Sequence, residues 1–103
     1  MAIFGSSRDE RKFEKNFYRA FEFNLRGHGI LTDDGICHEE VSQISLQWSI
    51  NNSLIFAVEE THFIFNEVLA KRLAQECLAK YQLPELQDIE YDRGKRLFLE
   101  ASD

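Results

Sequence analysis

Four consecutive residues combine a thiol, an imidazole and two carboxylates, which are the side chains of many metal sites and nucleophilic sites. They are Cys37, His38, Glu39 and Glu40. Structural zinc sites usually hold paired ligands at short spacings, whereas two adjacent residues rarely point at one ion. A catalytic cysteine needs a histidine beside it in space, which adjacency in the sequence does not provide. We therefore expect a polar loop here, and Cys37, His38 and the distant His62 remain secondary metal candidates.

A second group of ionisable residues, Glu59, Glu60 and His62, follows an apolar run. Paired carboxylates can act as acid and base when burial separates their pKa values. Neighbours on a strand point to opposite faces, so we expect a solvated strand end rather than a pocket. The five glycines are scattered and match no nucleotide fingerprint. The sequence thus predicts no catalytic residue and no cofactor. A small metal protein or enzyme that uses Cys37, His38, Glu60 and His62 remains the alternative.

A basic run near the start of the chain is the remaining candidate. In residues 7–27, SRDERKFEKNFYRAFEFNLRG, helical spacing places phenylalanines on one side and basic residues on the other. Such a charged side is often only solvated, but it can also dock on an acidic groove of a partner protein. The residues that we expect to bind a partner are Arg8, Lys12, Lys15 and Arg19.

Charge is divided unevenly along the chain. The net charge is −6; residues 1–30 carry six Lys or Arg and four acids, or +2, and residues 31–103 carry six and fourteen, or −8. This acidity argues against nucleic-acid binding, because phosphate contacts dominate that affinity. A lipid surface would need a free apolar helix face. We therefore expect a protein-interaction module, such as an adaptor, regulatory subunit or inhibitor, and a homodimer is one form of it. Nucleic-acid binding or mimicry is the lesser alternative.

Length and composition indicate the class of protein. The 103 residues are 44% hydrophobic with one proline, which predicts a single domain over 1–103 with a flexible tail at 1–6. The longest purely apolar run, 54–58, is far shorter than the roughly 20 residues that cross a bilayer. The first residues also lack the apolar segment of a signal peptide. We expect a cytoplasmic protein in which Cys37 and Cys77 are free thiols.

The elements that position these residues begin with a helix over 7–27. Ser7 and Glu10 form an S-x-x-E capping box, and Gly27 is placed to be a left-handed cap. Alternation over 21–25 is a rival strand pattern, so the helix could end before Gly27. The apolar side of this helix contains Phe13, Phe17, Ala20, Phe21 and Asn24.

Two β-hairpins are predicted. Apolar residues alternate over 44–50, Asn51-Asn52 can form a turn, and 53–60 returns as a central strand. Residues 88–100 are predicted to form a second hairpin, with a turn at 92–94 before its return strand. A separate turn is predicted at 32–35, where Gly35 can take a positive φ.

A second helix is predicted from Asn66, a good N-cap, until Pro84 stops it. The resulting fold class is α+β, in the order helix–hairpin–helix–hairpin. Two amphipathic helices would cover one face of an antiparallel sheet and form a two-layer domain. The sequence leaves open whether residues 28–43 form a loop, a short helix or another strand, and whether 63–65 extend the central strand or begin the second helix. The apolar side of the second helix contains Leu69, Ala70, Leu73, Ala74, Cys77 and Tyr81.

Overall fold

The computed structural model describes residues 2–61 and 67–86, which form three helices and one short antiparallel hairpin. The helices α1 and α2 lie on either side of the hairpin in the sequence, and α3 follows α2. In chain order the elements are α1 (Ala2–Gly27), β1 (Leu31–Thr32), β2 (Gly35–Ile36), a 3-10 turn (His38–Glu40), α2 (Gln43–Thr61) and α3 (Glu67–Lys80).

Helix α1 buries its phenylalanine side, as the sequence predicts. The rival strand pattern is wrong, because Phe21 and Leu25 are buried whereas Phe23 between them is 77% exposed. The helix begins at Ala2, so Ser7 lies inside it and the predicted capping box does not mark its start. The mobility of residues 1–6 and the single-domain extent stay predictions.

The C-terminus of α1 is capped two residues later than expected. Gly27 is the last helical residue, and the residue with positive φ is Gly29, at +75°. The Ile30 N–H donates to the Leu25 carbonyl at 2.9 Å, and the Gly29 N–H donates to the Arg26 carbonyl at 3.1 Å. These two bonds define a Schellman motif. The prediction of Gly27 as the cap is therefore wrong, and the buried Ile30 supplies the apolar residue that usually follows this cap.

The hairpin after α1 confirms the predicted turn at 32–35. Leu31 pairs with Ile36 and Thr32 pairs with Gly35, which leaves residues 33–34 at the tip. Gly35 has a φ of +114°, and the Thr32 hydroxyl donates to its carbonyl at 3.0 Å. The chain then passes through the 3-10 turn into α2, so the segment left unassigned from the sequence is a hairpin and a connection.

Helix α2 occupies the stretch predicted as the central hairpin, and that prediction is wrong. Residues 51–52, the expected turn, lie in the middle of one continuous helix. Leu46 and Ile50 are fully buried, but Ile44 is 72% exposed and Trp48 is 47% exposed. The four alternating apolar residues thus point in different directions around a helix and do not form one face of a strand.

Two serines at the start of α2 explain why this segment is helical. The Ser45 N–H donates to the Ser42 hydroxyl oxygen at 3.1 Å, and the Ser42 N–H donates to the Ser45 hydroxyl oxygen at 3.0 Å. This is the reciprocal arrangement of a capping box, with serine in place of the usual Glu or Gln. The Leu46 N–H then makes the first helical bond, to the Ser42 carbonyl at 3.0 Å.

Helices α1 and α2 pack extensively against each other, and small residues recur along α2. Ser49 and Ser53 are fully buried, and their hydroxyls donate to the carbonyls of Ser45 and Ser49 at 2.9 and 2.6 Å. These bonds let a polar residue lie in the core at little cost. From α1, the Asn24 amide reaches the Ser53 hydroxyl at 3.4 Å. The small residues recur every four positions: Ser45, Ser49, Ser53, Ala57 and Thr61.

Helix α3 buries five of the six residues predicted for its apolar side and completes the core. It ends at Lys80, short of Pro84, so the sixth residue, Tyr81, lies just beyond the helix and is half-buried. The helix ends in a second Schellman motif, in which the Leu83 N–H donates to the Leu78 carbonyl at 2.8 Å and Gln82 has a φ of +55°. All three helices contribute to one apolar cluster. Asn66, residues 63–65 and the predicted hairpin at 88–100 lie outside the described residues. In the part of the chain that the structure describes, the only strands are β1 and β2, so a two-layer sheet arrangement is not confirmed. The buried residues of α3 are Leu69, Ala70, Leu73, Ala74, Cys77 and Leu78.

Two alanine substitutions distinguish a helix from a strand at residues 44–50. We expect Leu46→Ala to lower the free energy of unfolding by about 2–5 kcal/mol, because it leaves a cavity in the core. Ile44→Ala should change it by less than about 0.5 kcal/mol, because this side chain is mostly exposed. Urea denaturation followed by circular dichroism gives both values. Equal losses for the two variants would favour the strand and contradict the helix.

Candidate functional site

The four basic residues predicted to bind a partner share one exposed face of α1, which we call the basic face: Arg8, Lys12, Lys15 and Arg19. At 3.6 residues per turn they project within about 60° of one another, and Arg8 and Arg19 lie about 16 Å apart along the axis. This face is opposite the buried side formed by Phe13, Phe17 and Phe21. The core therefore fixes the direction in which the cations point.

The basic face is not neutralised within the described structure. Across residues 2–61 and 67–86, none of its four cations forms an ion pair; the ion-paired basic residues are Arg26 and Arg72. The spacing of four, three and four residues also makes each cation a helical neighbour of the next. Like charges at these spacings destabilise a helix by about 0.2–0.5 kcal/mol a pair. The face thus concentrates positive charge that no ion pair among the described residues neutralises.

Two acidic residues of α1, Glu10 and Glu14, form ion pairs with Arg72 of α3. The Nη2 atom of Arg72 lies 3.5 Å from Glu10 Oε1 and also pairs with Glu14, while its Nε lies 3.7 Å from Glu76 Oε1. The Tyr18 hydroxyl donates to Glu76, which adds a direct link between the two helices. Glu10 and Glu14 are therefore engaged on another side of the helix, whereas Asp9 and Glu22 are exposed.

Tyr18 is held as a neutral donor in this network. Burial raises the pKa of its phenol well above the usual value, and the hydrogen bond to Glu76 and nearby negative charge raise it further. A neutral phenol can keep donating to the carboxylate over the whole physiological pH range. The contact between α1 and α3 at this point is therefore insensitive to pH near neutrality.

Phe23 extends the basic face, and reasoning from the sequence missed it. It lies one turn after Arg19 and projects within about 40° of Arg19 and Lys12. Its exposure of 77% contrasts with the buried Phe17 and Phe21. A helical projection would have found it, because a residue six positions after Phe17 falls about 120° from that side of the helix.

The sequence-predicted metal candidates are not brought together among the described residues. Cys37 is half-buried after β2, where its N–H donates to the Ile30 carbonyl at 2.7 Å, and His38 is exposed at the start of the 3-10 turn. His62 lies outside the described residues. Within the two described ranges, no group of three or more His, Cys, Asp or Glu residues could hold a metal ion.

The acidic pair Glu59–Glu60 has a different setting from the one expected. Both residues lie in the last turns of α2 and are exposed, so the predicted strand end is wrong. Because this segment is helical, the two carboxylates do not alternate between the faces of a strand. Both are exposed residues of a helix.

Cys77 is inert for a physical reason. It is 1% exposed in the core, and burial raises the pKa of its thiol to about 12. The thiolate is the reactive form of cysteine, and very little of it exists near neutral pH at such a value. Cys77 therefore behaves as a small apolar residue of the core.

Replacing Arg72 tests whether it holds α1 against α3. We expect Arg72→Ala to lower the free energy of unfolding by about 1 kcal/mol at neutral pH, a modest value because the charges are partly exposed. The loss should shrink as salt is added, because salt screens the attraction between partly exposed charges. Lys71→Ala is the control, since Lys71 is exposed and has no ion pair among the described residues. Equal losses for the two variants would show that the ion pairs of Arg72 do not stabilise the contact between α1 and α3.

Thiol labelling tests the setting of the two cysteines. In native protein at about pH 8, a thiol reagent should modify Cys37 readily and Cys77 only after addition of denaturant, because little of the Cys77 thiol is ionised. The variant Cys37→Ser isolates the second thiol. Rapid labelling of this variant while it remains folded would show that Cys77 is accessible and would contradict its burial.

No segment of the described chain is both long and apolar enough to form a membrane-crossing helix. Comparison with known proteins found no matching family model, no matching curated protein and no matching solved structure.

Proposed function

We propose that this chain is a cytoplasmic protein-interaction module, such as an adaptor, regulatory subunit or inhibitor, which binds an acidic surface of a partner protein through the basic face. One observation carries the proposal. Four exposed cations line one side of α1 and form no ion pair among the described residues, whereas Glu10 and Glu14 of the same helix pair with Arg72 of α3.

A rigid helix makes this surface suitable for binding. The phenylalanine side of α1 is locked in the core, so the backbone beneath the cations does not have to become ordered when a partner arrives. Pre-organisation lowers the entropy lost on binding. Clustered charge also attracts an oppositely charged partner from a distance and speeds encounter, an effect that falls as salt is added.

Other partners fit this face less well. A lipid surface needs a broad apolar side for insertion, and the apolar side of α1 is buried. Nucleic acid would meet a chain of net charge −6 and the exposed acids Asp9 and Glu22 beside the basic face. A second copy of this chain remains a form of the proposal, in which the basic face meets an acidic patch. The metal-binding or enzymatic alternative has no cluster of described residues in its favour.

A pull-down with charge-reversed variants tests the proposal. Extract from the cells that produce the protein is passed over the immobilised wild type and over the variant with Glu at positions 8, 12, 15 and 19. We expect a partner that the wild type retains and the variant loses, because opposite charges become like charges. Retention should also fall steeply as salt is raised. Circular dichroism confirms that the variant is folded.

A matched pair of variants separates the position of the charge from its amount. Lys15→Glu with Arg19→Glu and Lys71→Glu with Lys80→Glu each exchange two exposed cations for two anions, the first pair on the basic face and the second on α3. Only the first should release the partner. If both pairs release it equally, net charge controls binding and the basic face is not the site. If neither does, the partner binds elsewhere.

A further inference from the structure

We propose that Phe23 is the apolar anchor of the basic face, and that the partner is an acidic protein segment with large apolar residues at one end of its run of carboxylates. This inference rests on the proposed function, because it names the chemistry of the partner that the basic face would bind. It assigns a binding role to a residue that reasoning from the sequence placed in an alternating apolar pattern.

The exposure of Phe23 is the first observation. Phe13, Phe17 and Phe21 of the same helix are at most 1% exposed, whereas Phe23 is 77% exposed. A phenylalanine in water gains nothing for folding, since its stabilising effect comes from leaving water. When a partner buries Phe23, the side chain leaves water and stabilises the complex. Aromatic side chains are among the residues that contribute most to the binding free energy of protein interfaces.

The position of Phe23 is the second observation. It lies about 6 Å along the axis beyond Arg19, so the basic face and Phe23 form a continuous surface about 22 Å long. Arg26, one turn further on, is already engaged by Glu22 and Asp33 at 3.9 and 3.7 Å. Over residues 8–27, whose side chains the structure describes, the free cations of the basic face therefore stop at Arg19, and Phe23 lies beyond that end of them.

Because Phe23 follows the cations along α1, a partner segment can satisfy both only in one orientation. Cations alone hold any polyanion, and their contribution weakens with salt. An apolar anchor at one end favours a segment in which carboxylates spaced by three and four residues are followed by a large apolar group. Selectivity then arises because a segment without that group leaves Phe23 in water, while the charge contacts stay the same.

Nucleic acid is the competing occupant, because a base can stack on an exposed aromatic ring while phosphates contact cations. The charge of the chain favours the acidic protein segment. Residues 31–103 carry a net −8, and Asp9 and Glu22 are exposed beside the cations. A continuous phosphate backbone would have to pass these acids, whereas carboxylates placed at intervals on a peptide can avoid them.

Two synthetic peptides and one oligonucleotide test the inference. The first peptide has about 20 residues, with Glu at alternating steps of three and four and a Leu-Leu-Trp cluster after the last Glu. The second peptide has Ser in place of that cluster and the same charge. The oligonucleotide is single-stranded oligothymidylate of similar length. Fluorescence anisotropy measures the affinity of each for the wild type, Phe23→Ala, Ile44→Ala, and the Lys15→Glu/Arg19→Glu variant.

We expect the wild type to bind the first peptide about tenfold more tightly than the second, and Phe23→Ala to abolish that difference without weakening the second peptide. Ile44→Ala removes an apolar side chain of similar exposure, 72%, from α2 and should change neither affinity. The double charge reversal should weaken both peptides. Phe23→Ala is expected to keep its fold, because the side chain is largely exposed.

The outcomes separate this inference from the proposal on which it rests. If charge reversal weakens both peptides but Phe23→Ala leaves the tenfold preference unchanged, the basic face stands and the anchor is overturned. If charge reversal changes nothing, the basic face itself is overturned. If the wild type does not prefer the first peptide, the acidic segment with an apolar end is overturned. Tighter binding of oligothymidylate that depends on Phe23 would replace the protein partner with nucleic acid.

Discussion

The packing of α1 against α2 is the constraint on which the rest of the structure depends. Ser49, Ser53 and Ala57 add little bulk to the buried side of α2, and the serine hydroxyls are satisfied by the backbone of their own helix. The phenylalanine side of α1 is buried in the core that these helices share. Because that side is fixed, the direction of every other residue of α1 is fixed too. The cations of the basic face therefore face solvent.

Sorting of charge around α1 follows from the same orientation. A helix that carries both signs usually neutralises itself with pairs three or four residues apart. Here Glu22 pairs with Arg26 within α1, but Glu10 and Glu14 pair with Arg72 of α3. Glu10 and Glu14 thus stabilise the packing of α1 on α3, and the four cations of the basic face form no ion pair among the described residues. Structural and proposed binding roles are thus divided between the sides of one helix.

Sequence reasoning succeeded where one periodicity was present and failed where two competed. α1 and α3 show a clear apolar side, and the turn at 32–35 has the residues that such a turn requires. In α2 the alternation of Ile44, Leu46, Trp48 and Ile50 matched a strand by coincidence, because two of these residues face outward in the helix. Two features indicate a helix here and were not used: the capping pair Ser42 and Ser45, and small side chains that recur every four residues.

Some features of the site depend on contacts that no local pattern contains. Arg72 lies 58 residues after Glu14 and 62 after Glu10, so nothing near either glutamate indicates that it is engaged. The freedom of the basic face was therefore not predictable, although its composition was. The exposure of Phe23 was predictable in principle from a helical projection, but only after the strand pattern over 21–25 had been rejected.

Packing between consecutive helices also bears on how the chain is made. The main contact of the core joins α1 to α2, and only residues 28–42 need to close between them, which favours rapid folding because loop closure over a short connection costs little entropy. Ribosomes add about 5–20 residues per second, so the segment 28–61 follows α1 within a few seconds. The apolar side of α1 is thus unshielded only briefly during synthesis, before α3 and its distant ionic contacts exist.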